Sequence, residues 1–335
     1  MKKPLIVIPD DDPAVMGPSE AYQELKSRVE ISYYDSLPSS EQELIKRVQS
    51  AEAVINIRAS VDFTEAVFST CPALRIVSLW GTGTDHVDLE AAVRHGITVT
   101  NTPGVSAISM AEHCLTLMLA TARRIPEIDL ETRAGGWPRA FVTQLYGKTL
   151  GVIGLGAIGR QTARIAKGIG MKVVAWTVHP SVTLADELGV ELIELEELYR
   201  SSDIVSLHLR QSPSTIGLIG AREFEWMKPT AIFINTARGP IVDEVALVEA
   251  LEKKKISGAG LDVFDVEPLP RGHPLMKLPN VVLTPHSGGI TREALEAGLK
   301  LAIDNVFSFL DGQPINVVVA PVSYTHLTLP TNREV

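Results

Sequence analysis

Leu150-Gly151-Val152-Ile153 runs straight into Gly154-Leu155-Gly156-Ala157-Ile158-Gly159, and this stretch decides the fold. A short apolar strand ends in G-x-G-x-x-G, and a helical pattern comes next with Ile158, Ile165, Ala166 and Ile169 on one face. Gly154 permits the tight turn, Gly156 lets the backbone approach a pyrophosphate, and Gly159 lets the helix pack close to the strand. The helix N-terminus offers free amides and the positive end of its dipole to the phosphates. Gly154, Gly156, Ala157, Ile158 and Gly159 are therefore expected to bind a dinucleotide. In many such folds a carboxylate about twenty residues on grips the ribose hydroxyls. Here Val174-Ala175-Trp176-Thr177-Val178-His179-Pro180 puts Thr177 at that place. No carboxylate is there to repel a 2′-phosphate, and no nearby arginine attracts one, although a protonated His179 would help. NAD is the expected cofactor, with NADP left open.

Outward from this loop, β-like runs alternate with helical stretches, the pattern of an α/β protein with parallel sheets. Before it come strands at Leu5–Ile8, Ala53–Ile57, Leu74–Leu79 and Thr98–Thr100, with helices around Ser19–Lys26, Glu41–Ser50 and Asp88–Arg94. A long helix is expected from about Ser106 to Arg123. After the loop come strands at Lys172–Trp176, Ile204–Leu207, Ala231–Asn235, Gly258–Leu261 and Val281–Leu283, then a helix over Arg292–Leu310. The two series join near 101–104 and 288–291, which inserts the second unit into the first. The expected domains are 104–290, and a discontinuous one of 1–103 and 291–320. Residues 322–335 break the pattern. Val322-Ser323-Tyr324-Thr325-His326-Leu327-Thr328-Leu329-Pro330-Thr331 resembles a translated sequencing adaptor, so this tail is expected to be non-native.

Composition narrows the function. With 335 residues, 45% hydrophobic and 21% charged, the chain is neither disordered nor collagen-like, and it exceeds one core. A net charge of −9 argues against a nucleic-acid partner, because phosphate neutralisation needs a basic face. No apolar run approaches membrane-spanning length, and Ile6-Val7-Ile8 reads as a first strand instead of a signal-peptide core. Cys71 and Cys114 lack C-x-x-C or metal-ligand spacing and read as buried, reduced thiols of a cytoplasmic protein. No metal is expected. Asp10-Asp11-Asp12 reads as a solvated loop, and Glu191, Glu194, Glu196 and Glu197 as an exposed acidic segment.

Three later segments carry chemistry. Asn235-Thr236-Ala237-Arg238-Gly239, Asp262-Val263-Phe264-Asp265-Val266-Glu267-Pro268 and Thr284-Pro285-His286-Ser287-Gly288-Gly289 each come after an apolar strand. Open α/β sheets bind ligands past the carboxyl ends of their strands. An arginine forks onto a carboxylate and carbonyl, a histidine moves a hydroxyl proton, and a glutamate holds and charges the imidazole. Arg238, His286 and Glu267 thus form a hydride-transfer set for a 2-oxoacid. His208 lies at another strand end and lines the cofactor cleft or serves structure. His86, His95, His113 and His273 read as structural or surface residues.

These segments resemble the D-isomer-specific 2-hydroxyacid dehydrogenases over nearly all of residues 5–320. The likeness includes Gly81-Thr82-Gly83-Thr84-Asp85-His86-Val87-Asp88, Asn101-Thr102-Pro103-Gly104 and Met110-Ala111-Glu112. It implies a Rossmann-type nucleotide domain inserted into a smaller flavodoxin-like substrate domain, and a homodimer built through the nucleotide domain. It also implies Arg238, Glu267 and His286 as catalytic residues. Thr82 and Gly83 would hold the substrate carboxylate, and Arg58 and Ser60 would face the substrate. Thr236, Ala237 and Asp262 would contact the cofactor, Asp262 at the nicotinamide amide. The implied reaction passes a hydride between NAD(P) and a small D-2-hydroxyacid. Alternatives are a D-3-phosphoglycerate dehydrogenase and a non-catalytic NAD(H)-binding regulator of the corepressor type. Phosphoglycerate enzymes often carry an arginine where Ser60 stands, though Arg58 would supply a charge.

Overall fold

The computed structural model of the chain describes residues 3–321. The tail 322–335 lies outside the described residues. Two compact units are present, one drawn from Met1–Pro103 and Glu296–Val335, the other from Gly104–Leu295. The first opens with β1 (Leu5–Ile8), α1 (Glu20–Arg28), β2 (Glu30–Tyr33), α2 (Glu41–Val48) and β3 (Ala53–Asn56). It continues through α3 (Glu65–Ser69), β4 (Ile76–Leu79), α4 (Leu89–Arg94) and β5 (Thr98–Thr100). The second unit begins with α5 (Ala107–Ala122), α6 (Ile125–Arg133), β6 (Thr149–Ile153), α7 (Ala157–Gly168) and β7 (Lys172–Trp176). Next are α8 (Val182–Leu188), β8 (Glu191–Leu192), α9 (Leu195–Ser201), β9 (Ile204–Leu207) and α10 (Ala221–Trp226). β10 (Ile232–Asn235), α11 (Glu244–Glu252), β11 (Gly258–Leu261) and β12 (Val281–Leu283) complete it. The chain returns along α12 (Arg292–Leu310) to β13 (Val317–Val319). The return crossing falls between Leu295 and Glu296, inside α12, and not at 290/291, because the helix starts before the chain changes unit.

In the second unit the strand order is β12-β11-β10-β9-β6-β7-β8, all parallel. The order reverses at β6 and β9, the switch point of a doubly wound dinucleotide fold. In the first unit the order is β13-β5-β4-β3-β1-β2, and β13 alone pairs antiparallel. Its parallel part has the 2-1-3-4-5 order of flavodoxin-like sheets. Both central sheets bury side chains on both faces. Val7, Val54, Val77 and Val99 join one apolar cluster, while Ile6, Ile8, Ala53, Ile55 and Ile76 join the other. The period of two along each strand assigns neighbours to opposite faces. Leu299, Ala302, Ile303, Val306 and Phe307 of α12 close the second of these clusters. In the other unit Val205, Leu207 and Phe233 lie on one face, and Leu150, Val152, Ile232 and Ile234 on the opposite one.

Two expectations are corrected. The buried stripe of α7 is Gly159, Thr162, Ala163 and Ala166, while Ile158, Ile165 and Ile169 are half-buried. The helix lies so close to its neighbours that small residues, not the isoleucines, face the core. Asp10 and Asp11 are not solvated: they are 1% and 0% exposed, and only Asp12 faces water. Asp11 accepts from the Val15, Met16 and Gly17 amides at 2.8, 2.9 and 3.1 Å and from the Tyr33 hydroxyl at 2.8 Å. A buried carboxylate persists only with such donors. The edge strands β2 and β13 and the helix α6 were not legible, since β2 has no fully buried residue and α6 buries none. Cys71 and Cys114 are free and buried, as expected. No helix among the described residues is long and apolar enough to cross a membrane.

Candidate active site

In the unit Gly104–Leu295, the loop after β6 forms the turn its glycines require. Gly154 has φ +103°, and a methyl group on Gly159 would overlap the Gly154 carbonyl oxygen. Gly156 is the N-cap of α7 and no side chain caps it. The first backbone bond of the helix runs from the Arg160 amide to the Gly156 carbonyl at 3.0 Å. The amides of Ala157, Ile158 and Gly159 therefore have no intrahelical partner, and Gly156 and Ala157 are exposed. This cradle suits a pyrophosphate. Thr177 is half-buried just past β7, and His179 is exposed beyond it.

Arg238, Glu267 and His286 come after β10, β11 and β12, at the carboxyl edge of the sheet. His286 Nδ1 lies 2.7 Å from Glu267 Oε2, with both side chains partly open to solvent. Glu267 also accepts from the Phe264 amide at 3.0 Å. Burial alone would raise its pKa. The His286 bond, the Phe264 amide and the charges of His286 and Arg238 instead bring it below the ordinary carboxylate value. Arg238 leaves a turn clamped by Asn235, whose Oδ1 accepts from the Ala237 amide at 3.0 Å and whose Nδ2 donates to the Arg238 carbonyl at 3.1 Å. Gly239 then packs against backbone: a methyl group there would overlap the Phe264 carbonyl group. That close approach brings the arginine segment against the glutamate segment.

His286 has φ +52°, a left-handed conformation that costs a histidine about 1–2 kcal/mol. Asp262 holds it there. Its carbonyl accepts from the His286 amide at 2.8 Å. Its carboxylate, fully buried, accepts from Thr284 Oγ1 at 2.6 Å and from the Ser287 and Gly288 amides at 2.9 and 3.0 Å. His113 of α5 lies 3.3 Å from the same carboxylate and 3.0 Å from Thr284 Oγ1. Burial works to raise the Asp262 pKa, and these donors more than offset it. Asp262 thus organises the histidine loop; a contact to a nicotinamide amide would come in addition. Thr236 is 3% exposed and its hydroxyl is buried without a hydrogen-bond partner among the described residues, so its side chain belongs to the core and Ala237 is the more open neighbour. His208 Nε2 lies 2.9 Å from Ser206 Oγ, which lies 3.0 Å from Cys114 Sγ. Burial lowers the His208 pKa to about 4, so this ring is neutral near pH 7.

Arg58, Ser60, Thr82 and Gly83 belong to the other unit, after β3 and β4. The Gly81 amide donates to Thr102 Oγ1 at 2.7 Å, and Asn101 Nδ2 donates to the Thr82 carbonyl at 2.9 Å. Among the described residues the Thr82 and Gly83 amides donate to no protein acceptor, which leaves two donors at an exposed loop. Arg58 donates through its guanidinium to the Pro13 carbonyl. Reading the sequence missed the turn that Asn235 closes, the donors that Asp10 meets and the partner of His113. Asn235 had a signal, a strand-ending Asn that can close a turn on its own backbone; the other two depend on partners far along the chain. Among the described residues no group of three or more His, Cys, Asp or Glu side chains is placed to hold a metal.

The chain is similar to known proteins along most of its length. A family model for the NAD binding domain of D-isomer specific 2-hydroxyacid dehydrogenases matches residues 115–288. The chain is 38% identical over 309 residues to a glyoxylate reductase of Korarchaeum cryptofilum, covering 90% of this chain and 93% of that one. It is 41% identical over 283 residues to a D-3-phosphoglycerate dehydrogenase of Archaeoglobus fulgidus, covering 84% of this chain but 53% of the relative. The chain thus spans about half of that longer enzyme. The crystal structure of the TT0316 protein from Thermus thermophilus superposes with a TM-score of 0.86 at 38% identity, covering 94% of this chain and all of that one. With its two parallel-rich sheets, its glycine cradle and this likeness along its length, the chain belongs to the D-isomer specific 2-hydroxyacid dehydrogenases, enzymes that use NAD(P).

Proposed function

We propose that this enzyme reduces glyoxylate to glycolate, or a similarly small 2-oxoacid to its D-2-hydroxyacid, with His286 as acid/base, Glu267 as its partner and Arg238 as the substrate anchor. The observation that carries this reading is the 2.7 Å contact between His286 Nδ1 and Glu267 Oε2. It commits Nδ1 to the carboxylate and leaves Nε2 as the nitrogen that exchanges a proton with substrate. When bound, the nicotinamide cofactor supplies or accepts the hydride at the substrate 2-carbon. Nε2 of imidazolium His286 gives its proton to the forming alkoxide, and Glu267 stabilises that imidazolium. Arg238 forks onto the carboxylate and the reacting oxygen, where negative charge grows. In the oxidative direction neutral His286 is the base. The free amides of Thr82 and Gly83 support their role as holders of the substrate carboxylate.

The residues proposed to hold the cofactor are Gly154, Gly156, Ala157, Ile158 and Gly159 at the pyrophosphate, Thr177 at the adenosine ribose, and Ala237, the Thr236 backbone, His208 and Asp262 around the nicotinamide half. NAD is the proposed cofactor, and Thr177, which carries no charge, leaves NADP tolerated. Two buried free thiols support a reducing, cytoplasmic setting. The test is NADH and NADPH oxidation with glyoxylate, hydroxypyruvate, pyruvate and 3-phosphohydroxypyruvate. Turnover is expected with glyoxylate or hydroxypyruvate. Preference for the phosphorylated acid would assign a phosphoglycerate dehydrogenase instead, and tight NADH binding with no turnover would favour a regulator.

A homodimer through the nucleotide unit is part of the proposal. Leu130 of α6 is 71% exposed, and Trp137, Phe141 and Tyr146 on the segment after it are 78%, 103% and 71% exposed. Large apolar side chains this exposed along one stretch of chain favour a partner that covers them. Sedimentation at micromolar concentration should give twice the chain mass, and Leu130→Glu with Phe141→Glu should shift it to monomer. A monomeric wild type would overturn this part.

A further inference from the structure

We infer that Asp10 is a positioning residue for substrate recognition: its buried carboxylate shapes the segment Asn56–Ser60 that would face the 2-oxoacid. This rests on the reading above that Arg58 and Ser60 address the substrate. Asp10 ends the run from β1 and is 1% exposed. Oδ1 accepts from the Ile57 amide at 3.0 Å, and Oδ2 accepts from the Arg58 amide at 3.0 Å and from Asn56 Nδ2 at 2.6 Å. Ser60 Oγ stands 3.5 Å from Oδ2. Asn56 in turn presents Oδ1 to His86 Nε2 at 2.9 Å, and since that oxygen can only accept, the imidazole donates. Between the two anchored amides and Ser60, Ala59 takes φ +51°. A non-glycine residue holds that conformation only where its surroundings fix it.

These contacts lie at the carboxyl ends of β1 and β3, the strands at which the order of this sheet reverses. Ligands of open α/β sheets bind at that place. Burial pushes the Asp10 carboxyl above its ordinary range, even though the Ile57, Arg58 and Ser60 amides and the Arg58 charge pull it down. One carboxylate accepts from two consecutive amides and a side-chain amide, so it sets where Arg58 and Ser60 start. Arg58 is held a second time by the Pro13 carbonyl, just past Asp10.

The test is Asp10→Asn, which keeps the shape but puts an N–H against an N–H at one of the anchored donors. Hydrogen exchange of the segment 56–60 should accelerate at least about tenfold, while exchange in β6 and α7 stays as in wild type. KM for the 2-oxoacid should rise about tenfold with a smaller change in kcat, and the order of preference among glyoxylate, hydroxypyruvate and pyruvate should change. NADH affinity should not move. Asn56→Ser, which removes one donor and keeps the carboxylate, should give a smaller change of the same sign and carries the test if Asp10→Asn does not fold. Unchanged exchange, or unchanged KM and preference in the folded variant, would overturn the assignment. Arg58→Ala and Ser60→Ala separate the causes of failure. If they raise KM while Asp10→Asn does not, the role of Asp10 alone fails; if none of the three moves KM, the segment does not touch substrate and both readings fall.

Discussion

His286→Ala is expected to lower kcat by roughly 10²–10⁴ while leaving NADH affinity within about twofold of wild type. In the proposed mechanism the imidazole moves the hydroxyl proton, and its Nδ1 is already committed to Glu267. The cradle at Gly154–Gly159 lies on a different loop, so its amides survive the substitution. Alanine also has to adopt the left-handed backbone of His286, which invites the objection that the loop collapses. His286→Asn answers it, because asparagine tolerates that conformation and keeps a polar side chain. Both variants should lose turnover alike in steady-state NADH oxidation, with cofactor binding monitored by nicotinamide fluorescence. Near-wild-type turnover in either would remove His286 from the mechanism. Glu267 belongs to the same argument. Its pKa is lowered in the folded protein, so the stability gained from the pairing is full above its ordinary value of 4.5 and is lost as pH falls through the depressed one. The carboxylate therefore stays ionised across the neutral range.

Gly239→Ala should cost about 2–4 kcal/mol of stability and at least roughly 10² in kcat/KM, although residue 239 offers no side chain to substrate. The added carbon would overlap the Phe264 carbonyl group and stand 2.5 Å from the Asp265 nitrogen. All three atoms are backbone, so relief requires one segment to move, and the two segments carry Arg238 and Glu267. Displacement by about an ångström at a reacting centre is enough for losses of this size. Urea unfolding and steady-state kinetics on the same preparation check both halves. A variant as stable and active as wild type would mean that the segments are held apart some other way.

Much of the molecule was legible because the relevant forces are local. The apolar run Leu5–Ile8 and the helical pattern of Arg292–Leu310 gave bounds that agree with the structure residue for residue. The G-x-G-x-x-G stretch could be read since a tight turn and a close helix leave glycine no substitute. Elements with little burial, such as β2 and α6, leave weak patterns. In α7 the isoleucines suggested the wrong face, because close packing favours small residues and no periodicity reports how near a neighbour lies.

By itself the sequence determined two α/β units, the dinucleotide cradle and the order of an arginine, a glutamate and a histidine past three strands. Each of these depends on neighbours within a few residues. Only the tertiary structure decided that Asp10 and Asp11 are buried, that Asp262 and His113 brace the loop of His286, and that Gly239 seats the arginine segment on the glutamate segment. Asp10 meets its amide donors 47 and 48 residues away, and Asp262 meets the Gly288 amide 26 residues on. Whether a carboxylate is a solvated turn or a buried keystone depends on donors that arrive from other strands. That information exists only once the sheets have formed.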